Sequence, residues 1–162
     1  NKEHIYPVFT LLFTLPGIPS IYYGSEWGIE GRNEGPNDDF LRPAVEIGSI
    51  SQQVQQEKLT QWVRALARIH TSRPELAYGV YRELFLTNRQ YAFARILGES
   101  CVLAAVNNDE QEAVVRIPLP VGGGSCRDLA SEEEIACGDG QLELRLEPCG
   151  SRIFLYETVG GI

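Results

Sequence analysis

Residues 5–23, IYPVFTLLFTLPGIPSIYY, form an apolar run of nineteen, and four residues inside it decide what it becomes. Pro7, Pro16, Gly17 and Pro19 divide it. Proline lacks the amide hydrogen a helix interior needs, and its ring clashes with the preceding turn. The run therefore reads as two pieces, each too short to cross a bilayer as a helix. The first is a helix over 3–15, with Ile5, Val8, Phe9, Leu12 and Leu15 at the spacing that builds one apolar face. Pro7 is tolerated there because it falls near the helix start, and Pro16-Gly17 ends the helix. The second is a short buried strand over 18–23, apolar on both faces as a doubly covered parallel strand is.

Residues 24–50 are rich in Gly, Asn, Asp and Pro and read as one long loop. A loop of that length in an ordered domain marks function or disorder. A second amphipathic helix is predicted over 57–71, with Leu59, Trp62, Val63, Leu66 and Ile69 on one face and Lys58, Gln61, Arg64 and Arg68 on the other. Ser72-Arg73-Pro74 marks its exit. From Gly79 onward short strands alternate with turns: 79–86, 90–97, 101–107, 112–118, 126–130, 133–137, 141–147 and 151–157. Leu142, Leu144 and Leu146 alternate with polar neighbours, a period of two. Such a series implies an antiparallel β-sandwich. The boundary between the two parts falls near residue 74, dividing 1–74 from 75–162. The fold class is thus α/β followed by all-β.

The net charge of −8 is uneven: −1 over residues 1–74 and −7 over residues 75–162. An acidic face of this kind repels nucleic acid and anionic membranes, so neither is an expected partner. Cys101, Cys126, Cys137 and Cys149 show no zinc-type spacing. They read either as reduced core residues or as up to two disulfides. Gly122-Gly123-Gly124 lacks the lysine of a phosphate loop. Ser131-Glu132-Glu133-Glu134 matches a capping box in letters, but its strand-like surroundings make it an acidic turn.

The segment GIPSIYYGSEWG, residues 17–28, carries the sharpest motif. It resembles the last barrel strand of the α-amylase family of glycoside hydrolases (family 13), written Gly-x-Pro-x-aliphatic-x-Tyr-Gly-x-Glu. Gly17, Pro19, Ile21, Tyr23, Gly24 and Glu26 fill every fixed position. Asp38 and Arg42 then keep the spacing of the family's Asp-Pro-x-x-Arg, with Asp39 where proline usually stands. Leu76 to Gly79, residues 91–95 and residues 102–107 are similar to the link and the opening strands of the family's C-terminal sheet domain. Within the family, Ser25 to Gly28 and the Asp38/Arg42 pair resemble the neopullulanase, cyclomaltodextrinase and maltogenic amylase branch.

The resemblance implies the last helix-strand-helix of a (β/α)8 barrel followed by an antiparallel β-sandwich. A whole barrel needs roughly 250 residues, more than this chain has. It implies a hydrolase of carbohydrate metabolism with a retaining mechanism on α-glucans: starch, maltooligosaccharides, cyclodextrins or pullulan. Retention requires two carboxyl groups about 5 Å apart across the scissile bond. The family's catalytic Asp, Glu and Asp match no position here, so no catalytic residue is assigned and the piece by itself is expected to be inactive. Asp38 and Arg42 are the substrate-binding candidates, since a carboxylate and a guanidinium suit paired sugar hydroxyls. The alternative is a local salt bridge that stiffens the loop. Gly17, Pro19, Tyr23, Gly24 and Glu26 are assigned to the strand-end loop, as structure or as active-site floor. One of Tyr22 and Tyr23 is expected to pack in the barrel wall, and Trp27 either stacks on sugar or packs the loop. No cofactor or metal is called for in these residues, and any calcium would belong to the rest of a parent enzyme.

A rival reading makes the sandwich a non-catalytic carbohydrate-binding or interaction module. It needs a row of exposed aromatics, with Tyr78, Tyr81, Phe85, Tyr91 and Phe93 as candidates. Beyond an α-glucan, the expected partner is a second copy, because an unpaired apolar strand at 18–23 invites a homodimer. The expected localisation is cytoplasmic.

Overall fold

A computed structural model describes residues 2–31, 41, 44–46, 48, 58–120, 124–135, 137 and 140–158. Two α-helices, a short third one and eight strands make up most of them. Helix α1 runs Ile5–Thr14 and is preceded by a single 3-10 turn, Lys2–His4. Its buried residues are Pro7, Phe9, Thr10, Phe13 and Thr14. The face predicted from spacing is therefore rotated, for Val8 and Leu12 lie on the exposed side. A helix that is apolar nearly all round cannot specify its own buried stripe, and its packing partners choose it. The two threonines enter the core because their hydroxyls donate back along the helix, Thr10 to the Tyr6 carbonyl at 3.1 Å and Thr14 to the Thr10 carbonyl at 2.6 Å.

No strand forms over 18–23. Residues 18–22 carry no ladder bonds, Ile18 is 95% exposed, and Tyr22 and Tyr23 are both exposed. The predicted buried strand and the predicted barrel-wall tyrosine are both corrected here. An extended segment becomes a strand only by pairing, and every strand among the described residues belongs to the sandwich.

Helix α2, Lys58–Ser72, buries Leu59, Thr60, Val63, Leu66 and Ile69, close to the stripe its period predicts. Trp62 is half-buried, its indole N–H donating to the Thr10 hydroxyl at 3.3 Å. A short helix α3, Pro74–Tyr78, follows at once, with proline in the first helical turn where no amide is needed. It stands where the sequence suggested only a link. Gly79 follows as its extended C-cap, where a Cβ would lie 2.3 Å from the Glu75 carbonyl oxygen.

The strands are β1 Val80–Leu86, β2 Gln90–Leu97, β3 Ser100–Asn107, β4 Ala113–Pro118, β5 Gly124–Asp128, β6 Glu134–Ile135, β7 Gln141–Leu146 and β8 Ser151–Thr158. Each lies within about two residues of its predicted span. Six form a sheet in the order β1-β2-β3-β8-β5-β6, and β4 pairs with β7 in a second sheet. All pairings are antiparallel.

The six-stranded sheet is covered on both faces. Cys101, Leu103 and Ala105 of β3 pack with Val115, Leu142, Leu144 and Leu146 of the small sheet. From the opposite face, Val102 of β3 with Ile153 and Leu155 of β8 packs against Phe9, Phe13, Leu66 and Leu76 of the helices. Each of these large side chains contributes roughly 1.5–3 kcal/mol by leaving water. The helical half and the sheet half thus share one buried layer.

Candidate functional site

The motif residues gather around a tight turn at the start of α2. Ser25–Trp27 is one 3-10 turn, flanked by Gly24 at φ 74° and Gly28 at φ 66°. Both glycines occupy the left-handed region that side chains disfavour. Gly24 is held a second way: a Cβ would meet Ile29 Cδ1 at 2.5 Å. Its carbonyl accepts from the Trp27 and Ile29 amides at 3.0 and 3.2 Å. The Thr60 hydroxyl donates to the Glu26 carbonyl at 3.0 Å and fastens the turn to α2.

Two clefts flank Trp27. One, of about 350 Å³, is lined by Ile21, Tyr22, Tyr23, Glu26, Thr60 and Arg64, among others. The other, of about 680 Å³, lies between the turn and the start of α1, where Lys2 pairs with Glu30. Glu26 is the sole carboxylate in the described lining of the smaller cleft, and its side chain has no ion pair or hydrogen bond among the described residues. One carboxylate can orient a ligand hydroxyl, but it cannot perform a two-carboxylate displacement.

Of the sequence candidates, Tyr23, Gly24 and Glu26 meet at this turn. Gly17, at φ 138°, and Pro19 precede it in the chain. Asp38 and Arg42 lie outside the described residues. Thr60 and Arg64 complete the cleft and were not singled out from sequence. Their four-residue spacing on one helix face was the available signal.

The aromatics of the rival reading do not form a flat exposed row. Phe93 is fully buried and packs against the rings of Tyr81 and Tyr91, whose hydroxyls bond to each other. Among the described residues no group of three or more His, Cys, Asp or Glu side chains is placed to hold a metal, and no helix is long and apolar enough to cross a membrane.

Residues 81–153 match the family described as the neopullulanase-like C-terminal domain. This chain carries that domain. It is 32% identical over 158 residues to a cyclomaltodextrin glucanotransferase of Bacillus sp. (strain 1011), covering 91% of the chain and 21% of that enzyme. It is 29% identical over 138 residues to neopullulanase 2 of Thermoactinomyces vulgaris, covering 83% of the chain and 22% of that enzyme. The fold superposes on a solved Anoxybacillus α-amylase with a TM-score of 0.78 at 22% identity, covering 99% of the chain and 33% of the amylase. The chain therefore shares its fold with part of that solved structure, and it spans about a fifth of the length of those two curated relatives.

Proposed function

We propose that this chain is the C-terminal part of a retaining glycosidase of the α-amylase family, acting on α-glucans such as starch, maltooligosaccharides, cyclodextrins or pullulan. Residues 1–74 supply the last helix-strand-helix of its barrel, and residues 75–162 form its sandwich domain. The observation that carries this reading is the order of parts. A helix, the Gly17–Glu26 motif and a second helix precede a neopullulanase-like domain packed on those same helices. The exposure of Ile18 and Tyr22 supports it further, because large apolar side chains left in water suit burial against missing neighbours.

In this reading Asp38 and Arg42 hold glucose units, Glu26 sits at the floor beside them, and the bond-breaking carboxylates come from the remainder of the barrel. The 162 residues alone then cleave nothing. Incubation of the purified chain with soluble starch, pullulan and β-cyclodextrin tests this, and the expected outcome is no release of reducing sugar. Cleavage with contaminating enzyme excluded would overturn it. In the protein that joins this chain to a complete barrel, proton NMR is expected to show the α-anomer as first product. There Asp38→Ala raises KM with little change in Tm; a lowered Tm with unchanged KM identifies a structural loop contact instead.

A further inference from the structure

Three of the four cysteines converge on Tyr156 in the sandwich core. Cys101 stands opposite Tyr156 in the β3–β8 register, and Cys126 stands opposite it in the β5–β8 register. Strand β8 lies between them, so Cys101 and Cys126 are two strand spacings apart, about 9–10 Å. A disulfide needs Cα atoms within about 7 Å. That pair is excluded.

Cys137 is placed differently. It lies two residues past Ile135, which is opposite Cys126 in the β5–β6 register. It packs against the buried cluster that contains Cys126, and its thiol turns back to donate to the carbonyl of Ile135, the residue opposite Cys126, at 3.7 Å. The ladder of β6 ends at Ile135, which leaves the backbone at Cys137 without sheet bonds. Cys137 is half-buried, whereas Cys101, Cys126 and Cys149 are buried. Cys149 lies beyond the other end of β8, beside His4 and the Asp109 carbonyl. Ser151 is five residues from Tyr156 along the strand, about 16 Å.

We propose that Cys126 and Cys137 are a redox modification site: a small-molecule disulfide such as oxidised glutathione converts them to one intrachain disulfide that pins the β6 edge to the sandwich. The Cys137 thiolate attacks one sulfur of the reagent and expels a glutathione thiolate. The Cys126 thiolate then attacks the Cys137 sulfur of the mixed disulfide and expels the second glutathione. Two protein thiols lose two electrons, the reagent gains them, and both thiol protons end on the two glutathione molecules formed. The second step is the slow one, because burial raises the Cys126 thiol far above its ordinary range and little thiolate is present.

The test is equilibration of the protein with oxidised glutathione, then peptide mapping by mass spectrometry without reduction. The expected result is a loss of two hydrogen masses and one linked peptide pair, joined through Cys126 and Cys137. The oxidised protein melts a few degrees higher, and dithiothreitol reverses both changes. Cys137→Ser abolishes the linkage and the Tm shift, while Cys101→Ala retains both. An unchanged mass after full equilibration, a persistent glutathione adduct on Cys137, or linkage through any other pair overturns the proposal.

Discussion

The guanidinium of Arg95, in β2, donates from Nη1 to the carbonyl of Thr14 at the last turn of α1, at 3.3 Å. Its Nε donates to the Gly79 carbonyl at 3.2 Å. Arg95 is 4% exposed and has no carboxylate partner among the described residues. Burial pulls its pKa down, but a guanidinium stays charged at neutral pH. A cation at a helix C-terminus meets the negative end of the helix dipole and satisfies a carbonyl that the helix leaves open. One side chain thus ties the sheet to the helix that packs on it. Arg95→Met is expected to cost about 2–3 kcal/mol, since charged hydrogen bonds are lost and buried carbonyls are left unpaired. Urea unfolding measures this, and a change below ~0.5 kcal/mol would count against the role.

Gly24 governs the shape of the turn at the candidate site. Gly24→Ala forces a Cβ into a left-handed residue, costing about 1–2 kcal/mol, and drives it against Ile29. The expected outcome is a lowered Tm together with altered Trp27 fluorescence, because Trp27 belongs to the same turn. Gly98, at φ 61° with open space around it, is the control. Gly98→Ala carries the backbone strain alone and leaves the Trp27 spectrum unchanged.

Asp128 is buried where β5 ends, and its carboxylate is fully used. Oδ1 accepts from the Ala130 and Ser131 amides at 2.8 and 3.0 Å, while Oδ2 accepts from Arg152 Nε at 2.8 Å. It organises the acidic turn at residues 131–134 and neutralises an arginine that also lies over the Phe154 ring. Asp128→Ala leaves Arg152 without this partner and strips two amides of their acceptor. Arg152 is partly exposed and keeps Glu133 at 3.4 Å, so the expected loss is about 1–3 kcal/mol in denaturant unfolding. By contrast, Glu143→Ala breaks the exposed pair with Arg116 and is expected to cost under about 1 kcal/mol.

Buried thiols set the alkaline limit of stability. Burial, with Glu75 adding to it, pushes the Cys101 thiol from 9.0 up to about 12. An unfolded chain gives up this proton near pH 9, and the folded chain keeps it to about pH 12. Across that window the native state binds more protons, so stability falls as pH rises, by about 1.4 kcal/mol per pH unit for one thiol. Cys126 is shifted in the same direction. Urea midpoints at pH 8, 9.5 and 10.5 should decline, and Cys101→Ala should flatten the decline. An unchanged slope in the variant would rule Cys101 out as the source.

The sheet half was legible in the sequence because its evidence is local. Leu142, Leu144 and Leu146 alternate with polar residues, and that alternation survives only in a strand with one wet face. The stripe of α2 was legible for the same reason, since polar residues marked its other side. Gly24 could be read as a turn residue because glycine permits backbone angles that other residues resist, whereas Tyr23 was expected in the strand before it. Tertiary structure decided the rest. Helix α1 is apolar nearly all round, so only the sheet it packs on could select Phe9 and Phe13 over Val8 and Leu12. Residues 18–23 have strand composition, but a strand consists of ladder hydrogen bonds to a neighbouring strand, and none of the described strands pairs with them. Spacing left the four cysteines open between reduced residues and up to two disulfides, and only the strand order β3-β8-β5 separated Cys101 from Cys126. Pattern and propensity act within a few residues of chain. Which face is covered, which strand is paired and which thiols meet are set by residues far apart in sequence, through packing that exists only in the folded state.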